Sequence, residues 1–132
     1  MERDNARPAP RRIIGSGTDP LEIRVAELSV DVIVAVGGWY TDSPVAGTLG
    51  ALTPVTPARI LDTRDGTGGT AGAVPASGTV DIQVTGRGGV PVSGARAVVL
   101  NVTVTSPVNG GYLTIFPSGT ARPLASDLNF SA

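Results

Sequence analysis

The sequence predicts an all-β protein, an antiparallel β-sandwich of the Greek-key or jelly-roll kind with minimal helix. Apolar residues recur at every second position in several separate stretches, the period of a half-buried strand. No window longer than two helical turns keeps a helical apolar period without a Pro or Gly inside it. Turn residues divide the alternating stretches at intervals of about 8 to 12 residues, the spacing of sandwiches and barrels. One-sided alternation needs a second layer to bury its apolar face, hence the sandwich.

Residues 1–19 are polar and broken by Pro8, Pro10, Gly15 and Gly17, so a disordered or loosely ordered tail is expected at the start of the chain. Its arginines, Arg3, Arg7, Arg11 and Arg12, form a solvated charge cluster. Ile23 and Val25 mark a short strand. In the next, Val30, Val32, Val34 and Val36 share one side, with Ser29, Asp31, Ile33 and Ala35 on the other. Gly37-Gly38 breaks that ladder ahead of Trp39-Tyr40. Residues 42–56, rich in Pro, Gly, Thr and Ser, read as a linker or long loop that Pro44, Pro54 and the following Pro57 keep extended. "ARIL" opens the next strand and leads into a glycine-rich corner. Val80, Ile82 and Val84 then alternate, followed by Val98, Leu100, Val102 and Val104 in the clearest element of all. An Asn109-Gly110 turn signal introduces "GGYLTIFPSG", and "ASDLNFSA" is a weaker last strand.

Composition removes much of the usual chemistry. At 132 residues the chain has the size of one domain. It contains no cysteine and no histidine, which excludes disulfides, thiolate nucleophiles, Cys/His zinc sites and histidine bases within it. Its ten basic residues are all arginine, but with a net charge of −1 they make no stripe to steer nucleic acid. The longest apolar run, "VIVAVGGWY", falls well short of the roughly 18 to 20 residues of a membrane-spanning helix, so no membrane insertion is expected. No motif asks for a cofactor.

One stretch concentrates charge beside backbone freedom: "TPARILDTRDGTGGTAG", residues 56–72. As a phosphate loop it lacks the lysine and the following helix. As a calcium site it offers Asp62 and Asp65, but Arg64 stands between them and the six to eight oxygens calcium requires are not in view. As a paired-carboxylate hydrolase site it offers the same two acids, with Asp127 as a third. The reading that needs least is structural. Asp62 and Arg64 pair or bond the backbone, and Asp65 ahead of Gly66, Gly68 and Gly69 makes a tight corner with positive φ. The Asn-x-Ser/Thr match at Asn101 alternates within a strand, and neither it nor the one at Asn129 is read as a glycosylation site. Trp39 and Tyr40 suit core or edge packing, and with Tyr112 they are the candidate glycan platform.

The order of these motifs is similar to a known pattern. "TPARILDTRDGTGG", "GRGGVP", "AVVLNVTVT", "GGYLTIFPSG" and "SDLNF" resemble, in sequence, the repeated β-domain of secreted and cell-surface proteins of actinobacteria and related bacteria. The match spans residues 54–131, and "LSVDVIVAVGGWYT" resembles the closing strands of such a unit, apart from its Gly-Trp-Tyr ending. The resemblance implies closing strands of a preceding unit at 20–41, a linker at 42–56 and most of a following unit at 57–132. That layout has two outcomes: the early strands fill the place of the missing ones and make 20–132 one permuted sandwich, which the long linker favours, or the cut unit leaves an open edge that receives a strand from another chain. It also implies a piece of a longer exported protein, since the first twenty residues do not read as a secretory signal. The implied function is a non-catalytic structural or adhesion module at the cell surface. Its partners would be cell-wall or extracellular glycan, or neighbouring repeat units. The alternative is a carbohydrate-binding module accessory to a polysaccharide-acting enzyme. The family contributes no catalytic residue, and "LDTR" and "LNVT" stand in it as fold signatures.

Overall fold

The computed structural model describes residues 7–8, 12–15, 21–25, 30–41 and 50–132. They form nine strands: β1 (Arg7–Pro8), β2 (Arg12–Gly15), β3 (Leu21–Val25), β4 (Asp31–Thr41), β5 (Leu52–Asp62), β6 (Thr79–Ile82), β7 (Ala95–Thr105), β8 (Gly111–Pro117) and β9 (Leu128–Phe130). No helix occurs among the described residues. All pairings are antiparallel and fall into two sheets. In the first, β4 lies between β5 and β7, while β1 and β2 pair in turn along the other side of β7. In the second the order is β6-β3-β8-β9.

The alternating valines do what their period requires. Val32, Val34 and Val36 are fully buried on β4, and their cross-strand partners on β7, Val104, Val102 and Leu100, are buried with them. Residues directly opposite one another share a face, so these pairs build a continuous apolar surface. Val80 and Ile82 of β6, Leu113 and Ile115 of β8, and Leu128 and Phe130 of β9 supply the second sheet's part of the same buried cluster. Each such side chain contributes about 1.5–3 kcal/mol on full burial.

Two departures from the expected layout have physical causes. β5 begins at Leu52, inside the segment whose composition suggests a linker; residues 42–49 lie outside the described residues. Pro54 and Pro57 are tolerated there because β5 is an outer strand, where a missing N–H breaks no inner ladder. The register also jumps, since Val36 faces Ala58 while Gly38 faces Pro54, so three residues of β5 oppose Gly37 alone. The second departure is that β1 and β2 fall within the first nineteen residues, where breakers suggest little order. They satisfy the backbone groups on the outer side of β7, which would otherwise be unpaired.

The "GRGG" segment closes the first sheet over β5. Arg87 N donates to Val84 O and Val90 N to Arg87 O, so the chain reverses on itself. Gly88, at φ 59°, comes so close to β5 that a Cβ there would lie 3.2 Å from Ile60 Cγ2. The turn thereby brings Val90 into the core at 4% exposure.

Candidate functional site

The charged corner grows from the end of β5. Val34 faces Leu61 and Ala35 faces Arg59, so Ile60 is an extra residue in the ladder. That bulge lets Ile60 and Leu61 both turn inward, and both are buried. It also shifts the phase of the residues beyond it. Arg59 and Asp62, three residues apart, would lie on opposite faces of a regular strand; across the bulge they meet.

Asp62 is the centre of the corner and is 1% exposed. Its Oδ1 accepts from Arg64 N and from Arg64 Nε, both at 3.0 Å. Its Oδ2 accepts from Arg64 Nη2 at 3.0 Å and from Arg59 Nη1 at 2.7 Å. A carboxylate offers about four acceptor positions, and these four donors occupy them. The side-chain hydrogen bonds of Arg64 hold the Asp62 carboxyl below its ordinary value, against the opposing effect of burial.

The main chain around Asp62 is equally committed. Asp62 N donates to Thr67 O, and Gly66 N donates to Asp62 O at 3.0 Å. Asp65 turns to Thr67, whose N donates to Asp65 Oδ1 at 2.9 Å; hydrogen bonding from the Thr67 side chain, and after it this backbone bond, lowers the Asp65 pKa. Gly66, Gly68 and Gly69 have φ of 84°, 88° and 99°, the left-handed region predicted for the corner. Gly68 is required twice over, because a Cβ there would run into the Ile60 carbonyl oxygen. Thr63 ties the corner to β4: its N donates to Val32 O, and its Oγ1 accepts from Val32 N at 3.0 Å and donates to Asp31 Oδ1 at 2.9 Å.

This geometry bears on each reading of the stretch. The oxygens that calcium would need from Asp62 accept from two guanidinium groups instead. Among the described residues no three metal-ligating acidic, His or Cys side chains gather. Asp127 belongs to the second sheet, where its Oδ2 accepts from Ile115 N and extends the β8–β9 edge past the last paired residues. The three acids therefore have separate backbone tasks.

The aromatic residues also part company. Extending the valine alternation past Gly37 would point Trp39 away from the core. The register break at Gly37 reverses the phase, so Trp39 faces Val98 and packs, partly buried, against the core cluster. Tyr40, next along the strand, lies on the opposite face. Tyr112 stands in the other sheet, where Arg122 Nη2 donates to its Oη at 2.7 Å and the guanidinium carbon lies 5.7 Å from the ring centroid. The three do not form one platform.

Open grooves also occur among the described residues, and two of them bear on binding. One, of about 290 Å³, crosses the outer face of the first sheet between Ala35, Gly37, Pro57, Val99 and Asn101. The other, of about 280 Å³, runs beside Tyr112 and Arg122, with Leu124, Ser126 and Asn129 on its sides. Sequence reasoning missed Arg59 as the second partner of Asp62 and Arg122 as the partner of Tyr112. A bulge hides the first, and a ten-residue separation hides the second. Comparison with family models, with curated proteins and with solved structures gives no match for this chain.

Proposed function

We propose that the chain is a non-catalytic structural or adhesion module of an exported bacterial envelope protein, folded as one β-sandwich of jelly-roll type. The observation that carries this reading is the state of Asp62. The most enzyme-like group in the sequence is buried, ionised and fully bonded within its own corner, so it is committed to holding the end of β5 and the turn that follows it together. A general acid would need a raised pKa and access to substrate.

The strand order supports the sandwich. β2 pairs β7, β3 pairs β6, β4 pairs β5 and β8 pairs β9. That is the pairing of an eight-stranded jelly roll whose first strand has moved to the end of the chain. It suits a permuted sandwich, though one that begins at β2, ahead of the expected boundary at residue 20, with strands resembling the close of one repeat unit set among those of the next. The buried cluster shared by both sheets supplies the common core that such a fold requires. The envelope location and the neighbouring-unit partners rest on the motif resemblance. Asp62→Asn tests the structural role directly: it should lower the unfolding midpoint, and the wild-type protein should release no product from cell-wall or other polysaccharides. Turnover that vanishes in Asp62→Asn at unchanged stability would overturn the proposal.

The carbohydrate-binding alternative draws on one specific feature, the groove beside Tyr112. A ring, a guanidinium and the Asn129 amide in one shallow groove are the chemistry of a sugar subsite. Glycan-array binding that Tyr112→Ala removes and Trp39→Ala leaves would favour it.

A further inference from the structure

Strands β2, β3 and β4 form one arm of a long folded ribbon, and β7, β6 and β5 form the other. Among the described residues, no strand from β1 to β4 pairs with another of that group. Every ladder they make reaches into residues 50–132. The converse nearly holds as well: within β5 to β9 the one strand ladder is β8 with β9. β4 separates β5 from β7, and β3 separates β6 from β8. Without β1–β4 each sheet loses an inner strand, β4 from the first and β3 from the second, and the partners of Val32, Val34 and Val36 lose their cover.

The two arms are joined covalently through residues 42–49. On either side of that connection the backbone closes as a hairpin, with Gly50 N donating to Thr41 O at 2.9 Å and Thr41 N to Ala51 O at 3.1 Å.

From this topology we infer that β1–β4 are an exchangeable strand donor and that a second copy of this chain is the partner that receives them. The inference rests on the strand pairing alone and is independent of the envelope reading. If two copies exchange first arms, each β4 enters between the β5 and β7 of the other copy. Every ladder, every buried valine and the Thr63 bonds to Val32 and Asp31 are then made again. What differs is which copy supplies each arm, together with the entropy of bringing two chains together. Closed and exchanged forms thus have the same contacts, and concentration at the time of folding decides between them. Exchange from the closed form requires β4 to leave an inner position in its sheet, so dimers made during folding should persist on dilution.

The test uses the full chain in two versions, one tagged at its N-terminus and one at its C-terminus, unfolded together and refolded as a mixture over a range of concentrations. The expected product is a particle of twice the chain mass that keeps both tags through successive affinity steps. Its ratio to monomer should rise about tenfold for each tenfold rise in free monomer. A protease site placed within 42–49 gives the decisive readout. Cutting the doubly tagged dimer should yield particles of single-chain mass, half carrying both tags and half carrying neither, since β1–β4 of one copy stay seated in the other. Single-tag monomers at every concentration, separation of the tags on cutting, or a cut particle that stays at twice the mass would each overturn the inference. Chains without the protease site give the first readout unaided, so a folding defect caused by the inserted site cannot mimic a negative result.

Discussion

The Asp62 corner and the Tyr112 edge each set an arginine against a polar acceptor, yet the two places have different uses. At the corner the acceptor is 1% exposed, and its four donors include the main chain. At the edge, Arg122 is exposed and makes one hydrogen bond to a half-buried tyrosine beside an open groove. The same chemistry is therefore structural where burial removes water as a competitor and available where water remains. Stripped of its arginines, the buried Asp62 carboxylate would have no solvent to turn to, whereas Arg122 at the edge does.

Four substitutions or conditions would break or sharpen that contrast. The largest effect is expected from Gly68→Ala, which demands positive φ from a side-chain residue and drives its Cβ into the Ile60 carbonyl. A loss of about 3 kcal/mol or more in denaturant unfolding is expected, and a change under about 1 kcal/mol would mean the corner is loose. Asp62→Asn should cost about 2 kcal/mol, because the amide cannot accept from both arginines and Arg64 N at once. The half-exposed arginines keep that figure below the value for a fully buried pair.

Acid should reproduce part of this loss. The folded-state pKa of Asp62 lies below its ordinary value of 3.8. Its contribution is thus complete above that value and disappears as pH falls through the lower folded value. Thermal midpoints should stay level from neutral pH down to about pH 5 and fall below about pH 4, with a shallower fall in Asp62→Asn. The Asp65 carboxyl, lowered by Thr67, accounts for part of the slope that remains. The smallest effect belongs to the edge. Arg122→Ala should cost no more than about 0.5–1 kcal/mol, with little change in the unfolding midpoint. A loss comparable to that of Asp62→Asn would show that the groove beside Tyr112 is part of the frame.

Several features are legible in the sequence. Much of β4 (Asp31–Thr41) and β7 (Ala95–Thr105) follows from valine alternation, and the inward residues up to Val36 and from Val98 to Val104 are those the alternation names. The corner at Asp62–Gly69 follows from aspartate ahead of glycines, with φ positive at the three glycines singled out. Other features are not legible there. Arg59 reaches Asp62 through a bulge that exists because β5 must match β4. Trp39 turns inward because of another register break, against prolines that composition assigns to a linker.

The division has a physical origin. Side-chain period, glycine freedom and the absence of Cys and His are properties of neighbouring residues or of composition, so the chain carries them wherever it goes. They made this protein β-rich, barred thiol and imidazole chemistry from it, and located its sharpest turn. Which strand lies beside which, where a ladder slips by one residue, and whether Asp62 meets water or two guanidinium groups depend on segments far apart in the chain. Those outcomes appear only when both sheets close on a common set of buried valines, because pairing and burial are energies shared between distant residues.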